Sequence, residues 1–213
     1  MRVGLYGGSF DPIHIGHLLI ADIVREQKCL DEVVFLPAAI PPHKQGQQLT
    51  SANRRLAMLE LAISGYQPFL VNTIEMDREG VSYTVDTLEA IHSERPADEL
   101  FLILGGDSLG DLPRWKSPAR ICELATPVVV ARPNAAPLDA KILQKLLPEL
   151  TEDEIDACLL RVPVIDISST SIRVRVAHGQ SIRFRTPRAV EKYIEVHELY
   201  QSRGSEDVNR IQE

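Results

Sequence analysis

Short apolar runs alternate with amphipathic stretches along most of this chain, and nearly every run ends in a small or polar turn. Arg2-Val3-Gly4-Leu5-Tyr6, Glu32 to Pro37, about Phe69 to Ile74, Leu100 to Leu104, Pro127 to Ala131 and Val162 to Ile167 read as six strands. Between them, apolar positions recur at helical spacing. Ile15 to Leu30 sets Leu18, Leu19, Ile20, Ile23 and Val24 among Asp22, Arg25, Glu26 and Lys28. A helix capped by Thr50 or Ser51 follows, with Arg54, Leu56, Met58, Leu59 and Leu61. Further helices are predicted from Thr84 through Val85, Leu88 and Ile91, over Pro118–Leu124, around Leu138–Leu147, from the Ser168 cap to Gly179, and from Pro187 to about Tyr200. Strands that are apolar almost throughout, alternating with helices, imply an α/β fold whose mostly parallel sheet has helices on both faces.

Composition narrows the class without changing it. The 213 residues are 44% hydrophobic and 25% charged, ordinary values for a globular protein. Residues 1–203 are expected to form a single domain, with 204–213 a polar tail that frays. A formal net charge of -7 argues against a dedicated partner among nucleic acids or anionic membranes. Cys29, Cys122 and Cys158 are too far apart for a metal knuckle and are expected to be buried thiols of a reducing compartment. No apolar run approaches the ~20 residues that span a bilayer, and the N-terminus enters a strand directly, so a cytoplasmic location is expected.

Ligands of open parallel sheets bind beyond the carboxyl ends of the strands. The chemistry-bearing residues cluster there. Gly7-Gly8-Ser9-Phe10-Asp11-Pro12-Ile13-His14-Ile15-Gly16-His17 joins the first strand to the first helix. Two glycines allow the backbone close to a ligand, and a helix start offers N–H groups and positive dipole to an anion, above all a phosphate. This is neither the Gly-x-Gly-x-x-Gly fingerprint nor a Walker loop. His14 and His17, three apart, are expected on one face if the helix has begun by His14. They suit donation to phosphate oxygens; the lesser alternative is a metal such as zinc, for which Asp11 could serve as a third ligand.

Gly7 to His17 resembles the HxGH signature of the nucleotidylyltransferase superfamily, and in its full form that of the bacterial nicotinate-nucleotide adenylyltransferase family. A second hallmark stands at Ile167-Ser168-Ser169-Thr170-Ser171-Ile172-Arg173. Pro41-Pro42-His43-Lys44, Ser82 to Leu88, and Gly105-Gly106-Asp107 with Trp115 match as well, so the resemblance covers nearly the whole chain.

The resemblance implies a Rossmann-like doubly wound sheet and adenylyl transfer from ATP to nicotinate mononucleotide, with magnesium on the ATP phosphates and no confident protein metal ligand. It implies catalytic roles for His14, His17 and Arg173. ATP would meet Gly7, Gly8, Ser9, Phe10, Gly105, Asp107, Ile167, Ser169 and Thr170. The nicotinate mononucleotide would meet Lys44, Tyr83, Thr84 and Trp115, the last of these alternatively a core filler. Asp107 is expected on ribose hydroxyls and also as a helix N-cap. Arg183, Arg185, Arg188 and Lys192 read as a solvated face.

The acceptor brings its own phosphate nucleophile, which fits a chain with no serine or cysteine nucleophile constellation. Rival readings are a preference for nicotinamide mononucleotide, a phosphopantetheine acceptor, and a nucleotide-binding module without turnover. His14, where the pantetheine branch has threonine, opposes the second. Intact histidines and Arg173 oppose the third. Oligomeric state is not legible in the sequence.

Overall fold

The computed structural model describes residues 1–39, 49–78, 80–131, 139–163 and 165–201. Its strands are β1 (Arg2–Gly8), β2 (Glu32–Pro37), β3 (Phe69–Val71), β4 (Glu99–Gly105), β5 (Thr126–Ala131) and β6 (Leu159–Arg161). The helices are α1 (Ile15–Gln27), α2 (Ala52–Ile63), α3 (Thr84–Glu94), α4 (Gly106–Asp111), α5 (Pro118–Leu124), α6 (Ala140–Leu146), α7 (Glu152–Ala157), α8 (Ser169–Ala177) and α9 (Arg188–Val196), with a 3-10 turn at Leu112–Arg114. Among these residues the six strands form one sheet in the order β3-β2-β1-β4-β5-β6, with every pairing parallel.

The alternation of side chains along each strand builds two cores, one on each face. Val3, Leu5, Val34, Leu36, Leu100, Leu102 and Leu104 face α3, α5, α6 and α7 through Leu88, Ile91, Ile121, Leu143 and Ile155. Val33, Phe35, Phe101, Ile103, Val128 and Val130 face α1, α2, α8 and α9 through Val24, Met58, Leu59, Ile172, Val190 and Ile194. Burial on both faces explains why the central strands read as continuous apolar runs.

Several boundaries differ from expectation. The sixth strand lies at Leu159–Arg161, not Val162–Ile167. It pairs Leu159, Leu160 and Arg161 with Val129, Val130 and Ala131, and Pro163, which has no N–H to donate, stands two residues beyond its end. Strand β3 stops at Val71 because the Asn72 side-chain oxygen accepts from the Ile74 N–H at 2.9 Å and turns the chain. Helix α7 was not anticipated, although Thr151 and Glu154 cap its N-terminus reciprocally. Cys29 is exposed rather than buried, because it follows α1 in the left-handed region at φ 49. Cys122 and Cys158 are buried.

Candidate active site

The sheet order reverses between β1 and β4, and the crevice of such a sheet opens at the carboxyl ends of those two strands. A cavity of about 700 Å³ occupies it. Gly7 and Gly8 form one wall, Gly105 another, and Ser9, Phe10 and His17 lie beside the first. An added Cβ at Gly7 or Gly105 would meet nothing within 4 Å, so both strand ends present bare backbone to the cavity. Gly8 differs: a Cβ there would come within 2.9 Å of the Phe10 ring, which is buried and folds back over it from a left-handed backbone at φ 45.

Helix α1 begins at Ile15, so His14 is its extended N-cap rather than a first-turn residue. The two imidazoles meet nevertheless, stacked with centroids 3.7 Å apart and planes 25° from parallel. The His14 backbone N–H donates to Nδ1 of His17 at 3.3 Å. His17 lines the cavity, whereas His14 is buried at 6% exposure. Gly16 makes room for this pair, since a Cβ there would sit 3.0 Å from Nδ1 of His14 and 3.2 Å from Ile165.

The turn between β1 and α1 is gripped from remote parts of the chain. Arg55 of α2, 1% exposed, donates to the carbonyls of Ser9 at 2.7 Å, Thr50 at 2.9 Å and Ala39 at 3.2 Å. Burial pulls its guanidinium pKa down, while the Asp11 charge opposes that. Asp11, equally buried, accepts from the Tyr200 hydroxyl at 2.6 Å and from the Thr50 N–H at 3.1 Å. These contacts engage both oxygens of the residue offered above as a third metal ligand. Burial, and next the Asp11 charge, push the Tyr200 hydroxyl far above its ordinary value, keeping it a donor.

Helix α8 closes on the same turn. Ser168 caps it by accepting the Ser171 N–H at 3.1 Å. Ser169 donates to the carbonyl of Pro12 at 2.8 Å, and Arg173 donates to the carbonyl of Asp11 at 2.7 Å and to the Thr170 hydroxyl at 3.3 Å. Thr186 adds a bond to the Ile13 carbonyl at 2.9 Å.

Across the cavity stands the N-terminus of α3. Tyr83 is its N-cap and Thr84 its first residue, so the Thr84 N–H has no acceptor within the helix. Trp115 lines the cavity and also packs on the adjoining core. Lys116 lies 4.9 Å from the Tyr83 ring centroid and pairs with Asp86 at 2.8 Å. Glu75, 8% exposed, also lines the cavity and accepts from the Thr87 hydroxyl at 3.0 Å. Burial pushes its carboxyl pKa up, against the Thr87 hydrogen bond and the Arg78 charge.

The expected residues therefore divide. Gly7, Gly8, Ser9, Phe10, His17, Tyr83, Thr84, Gly105 and Trp115 line one cavity. His14, stacked on His17, and Ser169, Thr170 and Arg173, bonded to the Pro12 and Asp11 carbonyls or to one another, are not among the residues that line it. Asp107 is exposed in the first turn of α4, whose N-cap is Gly105, which corrects the reading of Asp107 as a cap. Ile167 is half-buried against the core. Lys44 lies outside the described residues. Arg55, Glu75 and Tyr200 were missed. Arg55 alone carried a signal, because it falls at i, i+3, i+4 spacing with Met58 and Leu59 on the buried stripe of α2.

A parallel sheet in this order, with glycine turns bordering the crevice at its switch point, defines a nucleotide-binding α/β protein. Residues 5–175 match the cytidylyltransferase-like family. A probable nicotinate-nucleotide adenylyltransferase of Roseiflexus sp. (strain RS-1) is 48% identical over 198 residues, 93% of this chain and 97% of that protein. One of Thermus thermophilus is 47% identical over 200 residues, 94% of this chain and 100% of that protein. The fold is shared with the Plasmodium falciparum nicotinic acid mononucleotide adenylyltransferase complexed with NaAD, at TM-score 0.76 and 20% identity over 93% of this chain and 97% of that one. The chain belongs to the nicotinate-nucleotide adenylyltransferases, within the cytidylyltransferase-like family.

Proposed function

We propose that the protein transfers the adenylyl group of ATP to nicotinate mononucleotide, forming nicotinate adenine dinucleotide and pyrophosphate. The observation that carries this reading is a cavity with an anion-suited glycine turn and His17 on one side and the α3 N-terminus with Trp115 on the other. A phosphate oxygen of the acceptor attacks the α-phosphorus of ATP as the bond to the β-phosphate oxygen breaks. Catalysis then consists of alignment and charge stabilisation. His17, with His14 stacked against it, donates to the triphosphate. Ser9 and Phe10 approach the phosphates through their backbone with Gly7 and Gly8; Gly105 and Asp107 take the nucleoside end. Arg173, which has N–H donors beyond those bound to Asp11 and Thr170, neutralises the departing pyrophosphate with Ser169, Thr170 and the backbone at Ile167. Trp115 stacks on the pyridine ring, the backbone at Tyr83 and Thr84 receives its carboxylate, and Lys44 takes the acceptor phosphate.

Magnesium, a hard cation, takes oxygen ligands. The imidazole pair is better suited to hydrogen bonding, so a magnesium ion would be carried by the triphosphate, where it would neutralise charge. Among the described residues no group of three or more His, Cys, Asp or Glu side chains is disposed to hold a metal. Three free thiols support a cytoplasmic location, and no helix of the described residues is long and apolar enough to cross a membrane.

The test is pyrophosphate release from ATP and magnesium with nicotinate mononucleotide, nicotinamide mononucleotide or phosphopantetheine as acceptor. Preferential turnover of the first is expected. Comparable rates with the first two overturn the nicotinate assignment and leave the reaction type standing.

A further inference from the structure

Asp11 has an unusual position for a buried carboxylate. At 1% exposure it sits inside the turn that joins β1 to α1, and removing such a charge from water costs several kcal/mol unless its oxygens are bonded. Both are: the Tyr200 hydroxyl donates to one at 2.6 Å and the Thr50 N–H to the other at 3.1 Å. Its main-chain carbonyl is held in turn by Arg173 at 2.7 Å. Two residues earlier, the Ser9 carbonyl is fixed by Arg55, whose charge offsets that of Asp11. Any shift of Asp11 therefore moves both the backbone of the glycine turn and the anchor of Arg173. The acceptor side of the cavity, at α3, Trp115 and Glu75, shares none of these bonds.

We propose that Asp11 and Tyr200 are positioning residues for ATP: the Tyr200 hydroxyl fixes Asp11, and Asp11 fixes the glycine turn and Arg173 in the form that receives the triphosphate. The proposal rests on the adenylyl-transfer reading for the identity of the nucleotide. It assigns Asp11 a role other than metal ligation and gives the region after α9 a part in donor binding.

The decisive variant is Tyr200→Phe in the full chain, which keeps the ring and removes one hydroxyl. Calorimetric titration with α,β-methylene ATP should weaken about tenfold, the size of losing one hydrogen bond to a charged group. Affinity for nicotinate mononucleotide should stay within about twofold. In turnover assays KM for ATP should rise more than kcat falls. Asp11→Asn, which leaves one oxygen to accept and turns a donor on its other partner, should change the same quantities in the same direction. Analogue affinity within twofold of wild type in Tyr200→Phe overturns the proposal. So does a parallel loss of both ligands with a large fall in Tm, the mark of a merely structural role, and so does wild-type protein that fails to bind the analogue. Wild type that binds the analogue but releases no pyrophosphate refutes the reaction reading, while the calorimetric comparison still decides this one.

Discussion

The backbone N–H of His14 donates to Nδ1 of His17 at 3.3 Å, and that bond determines where the His17 proton resides. A ring nitrogen that accepts carries no hydrogen, so neutral His17 holds its proton on Nε2. Under the proposed mechanism this Nε2–H is the phosphate donor, fixed before ATP arrives. His17→Ala should lower kcat by on the order of 10²-fold with little change in Tm, as for loss of a preorganised transition-state donor. His17→Gln, which extends an N–H to about the position of Nε2, should retain more activity than Ala. Wild-type kcat in His17→Ala would refute the role.

Gly16 tests the same pair from behind. A methyl group there would sit 3.0 Å from Nδ1 and 3.1 Å from Cε1 of His14 and 3.2 Å from Ile165. One of these neighbours must move. Gly16→Ala should cost about 1–3 kcal/mol of stability as an overpacking change. It should also lower kcat about tenfold or more, because a misplacement of about 1 Å at a catalytic group costs up to 10²-fold. Denaturant unfolding and steady-state rates measure the two effects separately; unchanged values in both would show that the helix start absorbs the methyl group.

Glu75 makes a prediction about pH. Burial raises its folded-state pKa above the unfolded value. The folded protein thus keeps this proton to higher pH, and the associated stability is complete below the ordinary glutamate range, near pH 4, then lost as pH rises through the raised value. Glu75→Gln cannot ionise and escapes that loss. The Tm of the variant minus that of wild type should become more positive between about pH 4 and pH 7. A difference that stays flat, or falls, would contradict the burial argument.

The thiols offer a check on the fold. Cys122 is buried and its pKa is pushed up to about 11, chiefly by that burial, and burial raises Cys158 as well. Cys29 is exposed after α1. Reaction with an aromatic disulfide reagent at neutral pH should modify one thiol quickly and the other two only after denaturation. Three fast thiols would place α5 and the α7–β6 junction wrongly.

Four of the strands were legible because burial on both faces makes a strand continuously apolar, as in Leu100 to Leu104. The sixth was not. Leu159–Arg161 is a three-residue edge strand, partly exposed, while the more apolar Val162 to Ile167 contains Pro163. The short α7 was announced only by its Thr151–Glu154 cap, with Ile155 the one buried residue among its six. In the site, Gly7 to His17, Thr84 and Trp115 stood out because each belongs to a local pattern at a strand or helix end. Glu75 and Tyr200 have no local pattern; they matter through residues 12 and 189 positions away in the chain. Arg55 is a charged residue in the middle of a helix, and only its place on the stripe with Met58 and Leu59 marks it as buried.

The bonds from Arg173 and Tyr200 to Asp11 join the first twelve residues to positions 162 and 189 residues later. During synthesis the glycine turn emerges long before its partners. Contacts so distant in sequence must close a large loop before they contribute anything, and they form late. A nascent chain that already holds β1, β2 and β4 side by side therefore has a sheet but not yet a fixed phosphate seat. Under the proposed positioning role, the seat for ATP is complete only once α8 and Tyr200 have docked on the glycine turn.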